Sequence, residues 1–216
     1  MKPLAKLRGR SGDSVRAGTL RREDLEAFRG MLEKLGGGPV LVTGAGDGRL
    51  AASIGLASAA AAAGSRTVLV DCDLEEPTVA HALGLSEGPG LHEYLRAEAR
   101  APEILQPLVL AGPASAMATD PLVCISAGAP APEGRVPIDS ADFRHAVAKL
   151  RSGYELVVLH GPPLGDDSGA LHAAASRADT VLACVGPSLA SGRAGRRLAR
   201  ALRTLAGGDP QVVVYG

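Results

Sequence analysis

The run from Val40 to Leu50, VLVTGAGDGRL, constrains this chain more than any other segment. Four apolar or β-branched residues read as a buried strand. Three glycines in five positions then permit a tight turn, and an alanine-rich stretch opens a helix behind it. A strand, a glycine-rich turn and a helix N-terminus together form a phosphate-cradling P-loop, in which backbone N–H groups and the helix dipole meet an anion. Gly44, Ala45, Gly46, Asp47, Gly48, Arg49, Leu50 and Ala51 are therefore the candidate nucleotide-binding residues. Two positions depart from that chemistry. Arg49 stands where such a loop carries lysine, and Leu50 stands where a serine or threonine hydroxyl reaches Mg²⁺.

The chain beyond this segment alternates between strands and helices. Short apolar strands are expected at Val40–Thr43, Thr67–Val70, Leu122–Ser126, Leu156–Leu159, Val181–Val185 and Gln211–Val214. Helices are expected at Glu23–Leu35, Arg49–Ala63, near Thr78–Leu83 and Leu91–Arg100, at Ser140–Arg151, near Ser168–Ser176, and at Ser188–Leu205. Wholly apolar strands separated by helices predict a three-layer α/β/α fold with a mostly parallel sheet. Ligands in such sheets sit beyond the carboxyl ends of the strands. Thr43, Asp71 and His160 occupy those ends and should converge.

With 46% hydrophobic residues in 216, one full core is expected. Aromatic residues make up only 2%, so that core is aliphatic. A net charge of zero gives no global field for nucleic acid. Cys72, Cys124 and Cys184 are too scattered for a disulfide framework or zinc site, which fits a reducing cytoplasm. No apolar run approaches the roughly 18 residues of a membrane span, and no secretory leader is read.

Residues 1–22 carry Lys2, Lys6, Arg8, Arg10, Arg16, Arg21 and Arg22 against Asp13 alone, and are expected to form a disordered basic arm before a single domain over 23–216. Pro113–Pro137 reads as a long surface loop around one strand.

Four segments resemble the bacterial tyrosine kinases of exopolysaccharide systems, a branch of the MinD/ParA-like P-loop ATPases. Gly46-Asp-Gly-Arg49 resembles their G-E-G-K Walker A motif. Val70–Pro77 (VDCDLEEP) resembles the second acidic motif, D-x-D-L-x-x-P. Tyr154–Pro163 (YELVVLHGPP) resembles the Walker B strand, Y-D-x-V-I-I-D-T-P-P. Glu26-Ala-Phe-Arg29 resembles the start of the E-x-x-R-x-x-R helix that joins subunits, with Leu32 replacing its second arginine.

The resemblance implies ATP or ADP as ligand. It implies Asp71 and Asp73 as catalytic candidates, Asp71 as a weak metal candidate, and Glu26 and Arg29 as interface residues. It also implies a homo-oligomer, a membrane polysaccharide co-polymerase or kinase paralogue as partner, and a place in the cytoplasm, peripheral to the inner face of the membrane. Mg²⁺ loses two expected ligands, because Leu50 and His160 replace the hydroxyl and the Walker B aspartate. Magnesium prefers oxygen, so neutral imidazole is a poor substitute.

The expected function is a catalytically degenerate relative with weak or no nucleotide binding and a regulatory role. The alternatives are a working kinase or ATPase that recruits Asp71, Asp73 and Asp166 or Asp167, and a partition-like positioning ATPase. Simpler readings stand beside these. The glycines alone make a tight turn, Asp71 and Asp73 cap a turn, and His160 is a hydrogen-bonded strand-end histidine. Arg193, Arg196, Arg197, Arg200 and Arg203 recur at helical spacing, as a solvated face or a docking stripe.

Overall fold

The computed structural model describes residues 5–7, 22–44, 48–111, 120–129, 141–165, 169–206 and 210–215. Eight strands form one sheet: β1 (Ala5–Leu7), β2 (Gly38–Gly44), β3 (Thr67–Asp71), β4 (Gln106–Leu108), β5 (Leu122–Ile125), β6 (Leu156–His160), β7 (Thr180–Val185) and β8 (Gln211–Tyr215). Their order is β1-β8-β7-β2-β6-β3-β5-β4, and among the described residues only the β4–β5 pair is antiparallel. The helices are α1 (Arg22–Leu35), α2 (Gly48–Ala62), α3 (Val79–Leu83), α4 (Leu91–Leu95), α5 (Ala101–Ile104), α6 (Ala141–Gly153), α7 (Ala170–Ala175), α8 (Pro187–Ala190) and α9 (Gly192–Ala206). The expected three-layer α/β fold is the one observed.

Alternation along each strand assigns the two faces. Val40, Val42, Leu69, Val158 and Leu182 pack beneath α1 and α2, while Leu41, Val68, Val70, Val157 and Val181 meet Phe143 and Val147 of α6 and Leu171 of α7 on the other face. Ala183, Val185, Val212 and Val214 carry this second layer outward beneath Leu202 of α9. Period-2 side chains make each strand apolar on both faces, and the parallel sheet needs that because helices cover both.

The alanines of α2 explain its central place. Twelve of its fifteen residues are buried, so the helix is enclosed by the sheet and by α1. Small side chains permit that approach. At Gly55 an added Cβ would run into the ring of Phe28 on α1. Helix α1 buries Leu25, Phe28, Met31 and Leu35. Leu32, only partly buried, packs at the margin of this stripe.

The structure corrects several expected boundaries. Within the basic arm, Ala5–Leu7 pairs in parallel with Val213–Tyr215 as an edge strand; the rest of residues 1–21 lies outside the described residues. Strand β4 was not expected. The helix expected over Leu91–Arg100 stops at Leu95, turns through Ala97 with φ 58°, and gives way to α5. The helix expected over Ser188–Leu205 is two, parted at Ser191 and at Gly192 with φ 61°. Most of the Pro113–Pro137 loop lies outside the described residues.

Strand β2 sits between β6 and β7, and its chain leaves over β6 to reach β3. The sheet therefore reverses its winding at the carboxyl end of β2, the usual crevice for a ligand. Substituting Gly55 tests how tightly α1 is held there. Gly55→Val should lower unfolding stability by about 1–3 kcal/mol through overpacking. Adding Phe28→Leu should recover part of the loss in urea denaturation; an unchanged midpoint in Gly55→Val would contradict the packing described.

Candidate functional site

The crevice brings Arg49, Ser53, Asp73, Thr78 and His160 together around the first turns of α2. Register sets this arrangement. His160, the last residue of β6, pairs with Val42 of β2 on one side and Asp71 of β3 on the other. It is fully buried.

Its protonation is set by its neighbours. Ser53 Oγ donates to the carbonyl oxygen of Arg49 at 2.9 Å, so its proton is already committed. His160 Nδ1, at 2.9 Å from the same hydroxyl, is therefore the donor to it. Nε2 is left as an unprotonated acceptor, 3.2 Å from Thr78 Oγ1 and 3.4 Å from Arg49 Nη1. Burial, and then the adjacent guanidinium, push the imidazole pKa down to about 3. His160 is thus a neutral, doubly engaged structural imidazole.

Arg49 is turned inward. Its Nη1 lies 2.7 Å from Asp73 Oδ2 and donates to the Gly161 carbonyl at 2.7 Å. The side chains of this ion pair are 10% and 3% exposed. Asp73 Oδ2 has no other partner and makes no well-angled hydrogen bond, so charge holds the pair more than directionality does. Arg49 is also the second residue of α2, where the helix dipole disfavours a cation. Asp73 offsets both that field and the loss of water.

Asp71 is occupied differently. One carboxylate oxygen accepts from the backbone of Thr78 and Val79 at 3.1 and 3.0 Å, and the other from Asp73 N at 3.2 Å. Its burial raises its pKa to about 7 against those donors, and Asp73 adds a smaller push upward. Asp73 Oδ1 likewise accepts from Glu76 N at 3.3 Å. Both aspartates therefore shape the turn into α3, in agreement with the simpler reading. Thr43 Oγ1 donates to Pro162 O at 2.7 Å, which ties β2 to the loop after β6.

The remaining expected site residues divide. Gly44 ends β2 where an added Cβ would collide with the Cys184 carbonyl, so only glycine fits there. Gly48 and Ala51 are half-buried on α2, and Leu50 packs at the margin of the core beneath α1. Ala45, Gly46, Asp47, Asp166 and Asp167 lie outside the described residues. Glu26 is exposed and Arg29 half-buried on α1, apart from the cluster. Ser53 and Thr78 were missed by sequence reasoning. A signal existed for both: Ser53 is one helical turn beyond Arg49 in an alanine-rich helix, and Thr78 comes directly after the proline that closes the second acidic motif.

This donor set does not fit Mg²⁺. The Asp73 oxygen that faces the site is held by a cation, both imidazole nitrogens are engaged, and Leu50 offers no oxygen. Among the described residues no group of three or more His, Cys, Asp or Glu is placed to hold a metal ion.

No protein-family model and no curated protein matches the chain. Solved structures do. The VpsO kinase domain superimposes with a TM-score of 0.66 at 24% identity, over 82% of this chain and 83% of that one. The kinase domain of the Escherichia coli tyrosine kinase ETK gives 0.69 at 16% identity, over 89% and 77%. The septum site-determining protein MinD from Pyrococcus horikoshii, solved with Mg-ADP, gives 0.60 at 16%, over 82% and 68%. The chain has the fold of a P-loop ATPase domain of the tyrosine-kinase and MinD type. Within this fold, the Arg49, Asp73 and His160 cluster occupies the crevice at the head of α2.

The buried imidazole gives a pH prediction. Its folded pKa of about 3 lies below the ordinary 6.5. Unfolding then takes up a proton between those values, so this contribution is present above pH 6.5 and lost as pH falls toward 3. Asp71 acts oppositely, because its raised pKa removes stability as pH rises from about 4 to about 7. Comparing wild type with His160→Gln cancels Asp71. The wild-type advantage in urea midpoint should shrink steadily below pH 6.5, and a constant difference would show that His160 is not held neutral.

Proposed function

We propose that this chain is a catalytically degenerate relative of the exopolysaccharide tyrosine kinases. In this reading it binds nucleotide weakly or not at all. It acts by contact with a membrane polysaccharide co-polymerase or an active kinase paralogue, and α1, with Glu26 and Arg29, is the surface that meets a neighbouring copy. The fold likeness to VpsO and ETK supports the lineage.

One observation carries the loss of activity: Arg49, in the place of the phosphate-binding lysine, is paired with Asp73 at 2.7 Å inside the crevice. Phosphoryl transfer relies on positioned positive charge and metal to neutralise the transferring group. Here the positive charge is already neutralised, and the carboxylate that would orient a metal is taken up by it. Removing one preorganised electrostatic group costs about 10²–10³ in rate. Leu50 and His160 remove two further groups of the same apparatus, and such losses overlap rather than multiply. A residual rate near background is the result.

Two measurements test this. Wild-type protein should show no Mg²⁺-dependent ATP consumption and no phosphotyrosine, alone or mixed with its own copies. The triple change Arg49→Lys, Leu50→Thr, His160→Asp should raise Mg²⁺-dependent turnover by at least about tenfold, since it restores three groups each worth more than that. Wild-type turnover that requires Mg²⁺ and yields phosphotyrosine would overturn the proposal in favour of an active kinase with variant motifs.

A further inference from the structure

Helix α9 carries charge that the rest of the described surface does not answer. From Ser188 to Leu205 the sequence has five arginines and no acidic residue. Arg193, Arg196, Arg197, Arg200 and Arg203 are all exposed, and among the described residues none has a carboxylate partner. At 100° per residue they fall within about 120° of arc, opposite the buried Leu202 and flanked by the buried Ala199. The fifteen-residue helix spans about 22 Å. The result is a straight row of unpaired guanidinium groups on a rigid support.

A groove of about 480 Å³ runs beside this row, between α9 and β8. Leu198, Ala199 and Val212 line its floor, and Arg196, Arg200 and Arg203 line its rim. Leu189 of the adjoining α8 is 41% exposed, one of two large apolar side chains so exposed among the described residues. Strand β1 pairs with β8 at this same end of the sheet, and the sequence about it, with Lys2, Lys6, Arg8 and Arg10, is also basic.

We propose that the α9 face docks on an anionic phospholipid surface, with Arg196, Arg200 and Arg203 engaging lipid phosphates and Leu189 meeting the acyl boundary. This rests on α9 and not on the nucleotide-site reading. The chemistry of the face favours lipid over a protein partner. Protein interfaces take their energy from a few buried anchors, chiefly Trp and Tyr together with Arg packed into pockets. Phe28 and Phe143 are buried in the core and α9 has no aromatic residue. Stacking on nucleic-acid bases lacks its platform for the same reason. An extended row of fixed positive charge matches a charged, laterally continuous headgroup layer, where each basic residue adds independently.

The test is co-sedimentation of the full chain with phosphatidylcholine vesicles that either contain or lack phosphatidylglycerol. Binding should require phosphatidylglycerol and weaken steeply with added salt. Arg196→Gln, Arg200→Gln, Arg203→Gln together should lower the partition coefficient by about 100-fold at low salt. The charge-matched set Arg22→Gln, Lys34→Gln, Arg144→Gln, on exposed positions elsewhere, should lower it far less. All six positions are exposed, so the thermal midpoint of both variants should match wild type. Equal losses in the two variants, binding to vesicles without anionic lipid, or retention on polyglutamate or duplex DNA with no vesicle binding would each overturn the proposal.

Discussion

The buried contact between Arg49 and Asp73 organises the functional end of this molecule. Arginine cannot shed its charge inside a protein, so once it is drawn below the surface a carboxylate must accompany it. Breaking such a pair leaves one ion stranded and costs about 3–5 kcal/mol. A phosphate that sought the guanidinium would have to offset that loss before gaining anything. Lysine on the same helix turn would be a shorter, compact point charge. Here one guanidinium nitrogen, Nη1, meets Asp73, the Gly161 carbonyl and Nε2 of His160 at once. The departure from lysine therefore changes where the charge resides as well as its shape.

His160 fits the same logic. An aspartate at the end of β6 would sit beside Asp71 across the ladder and near Asp73, and three carboxylates in that space coexist only by holding protons or a cation. The imidazole removes one negative charge and supplies a hydrogen-bond donor for Ser53 and an acceptor for Thr78. With Arg49 balancing Asp73 and burial favouring the protonated form of Asp71, the crevice approaches neutrality without any metal. Arg49 and His160 thus balance the crevice's charge together.

Much of this was legible in the residues themselves. Strands such as Thr67–Asp71 and Leu156–His160 are short and apolar or β-branched until their last residue, so the sheet, its parallel sense and the polar ends that meet in the crevice could be read directly. Gln106–Leu108 could not. It is brief, carries a proline and gains its ladder only by lying at an edge, where a missing N–H is tolerated. Ala5–Leu7 is equally short, and only the partner β8 makes it a strand. The division of α8 from α9 turns on the left-handed backbone at Gly192, a residue that also occurs inside continuous helices. At the site, sequence placed Thr43, Asp71 and His160 at one end of the sheet but did not foresee the contact of Arg49 with Asp73. Which oxygen an arginine reaches depends on the few ångströms between α2 and the turn after β3. No residue pattern encodes that distance, and Ser53 and Thr78 enter the cluster only through it.

The two concentrations of arginine then separate by environment. Arg49 is enclosed, so dissolved ions scarcely reach it, and its pairing should be indifferent to ionic strength. The α9 row stands in solvent, where the screening length at 0.1 M salt is about 10 Å, and its attraction to any anion fades with added electrolyte. A net charge of zero conceals this division. Around the crevice the positive charge is answered by local carboxylates, whereas on α9 its counter-charge is spread over distant parts of the fold. Internal pairing holds the crevice together while withdrawing its cation from ligands. The absence of pairing leaves the outer helix free to meet a charged surface, at the cost of the self-repulsion that five neighbouring guanidinium groups must bear.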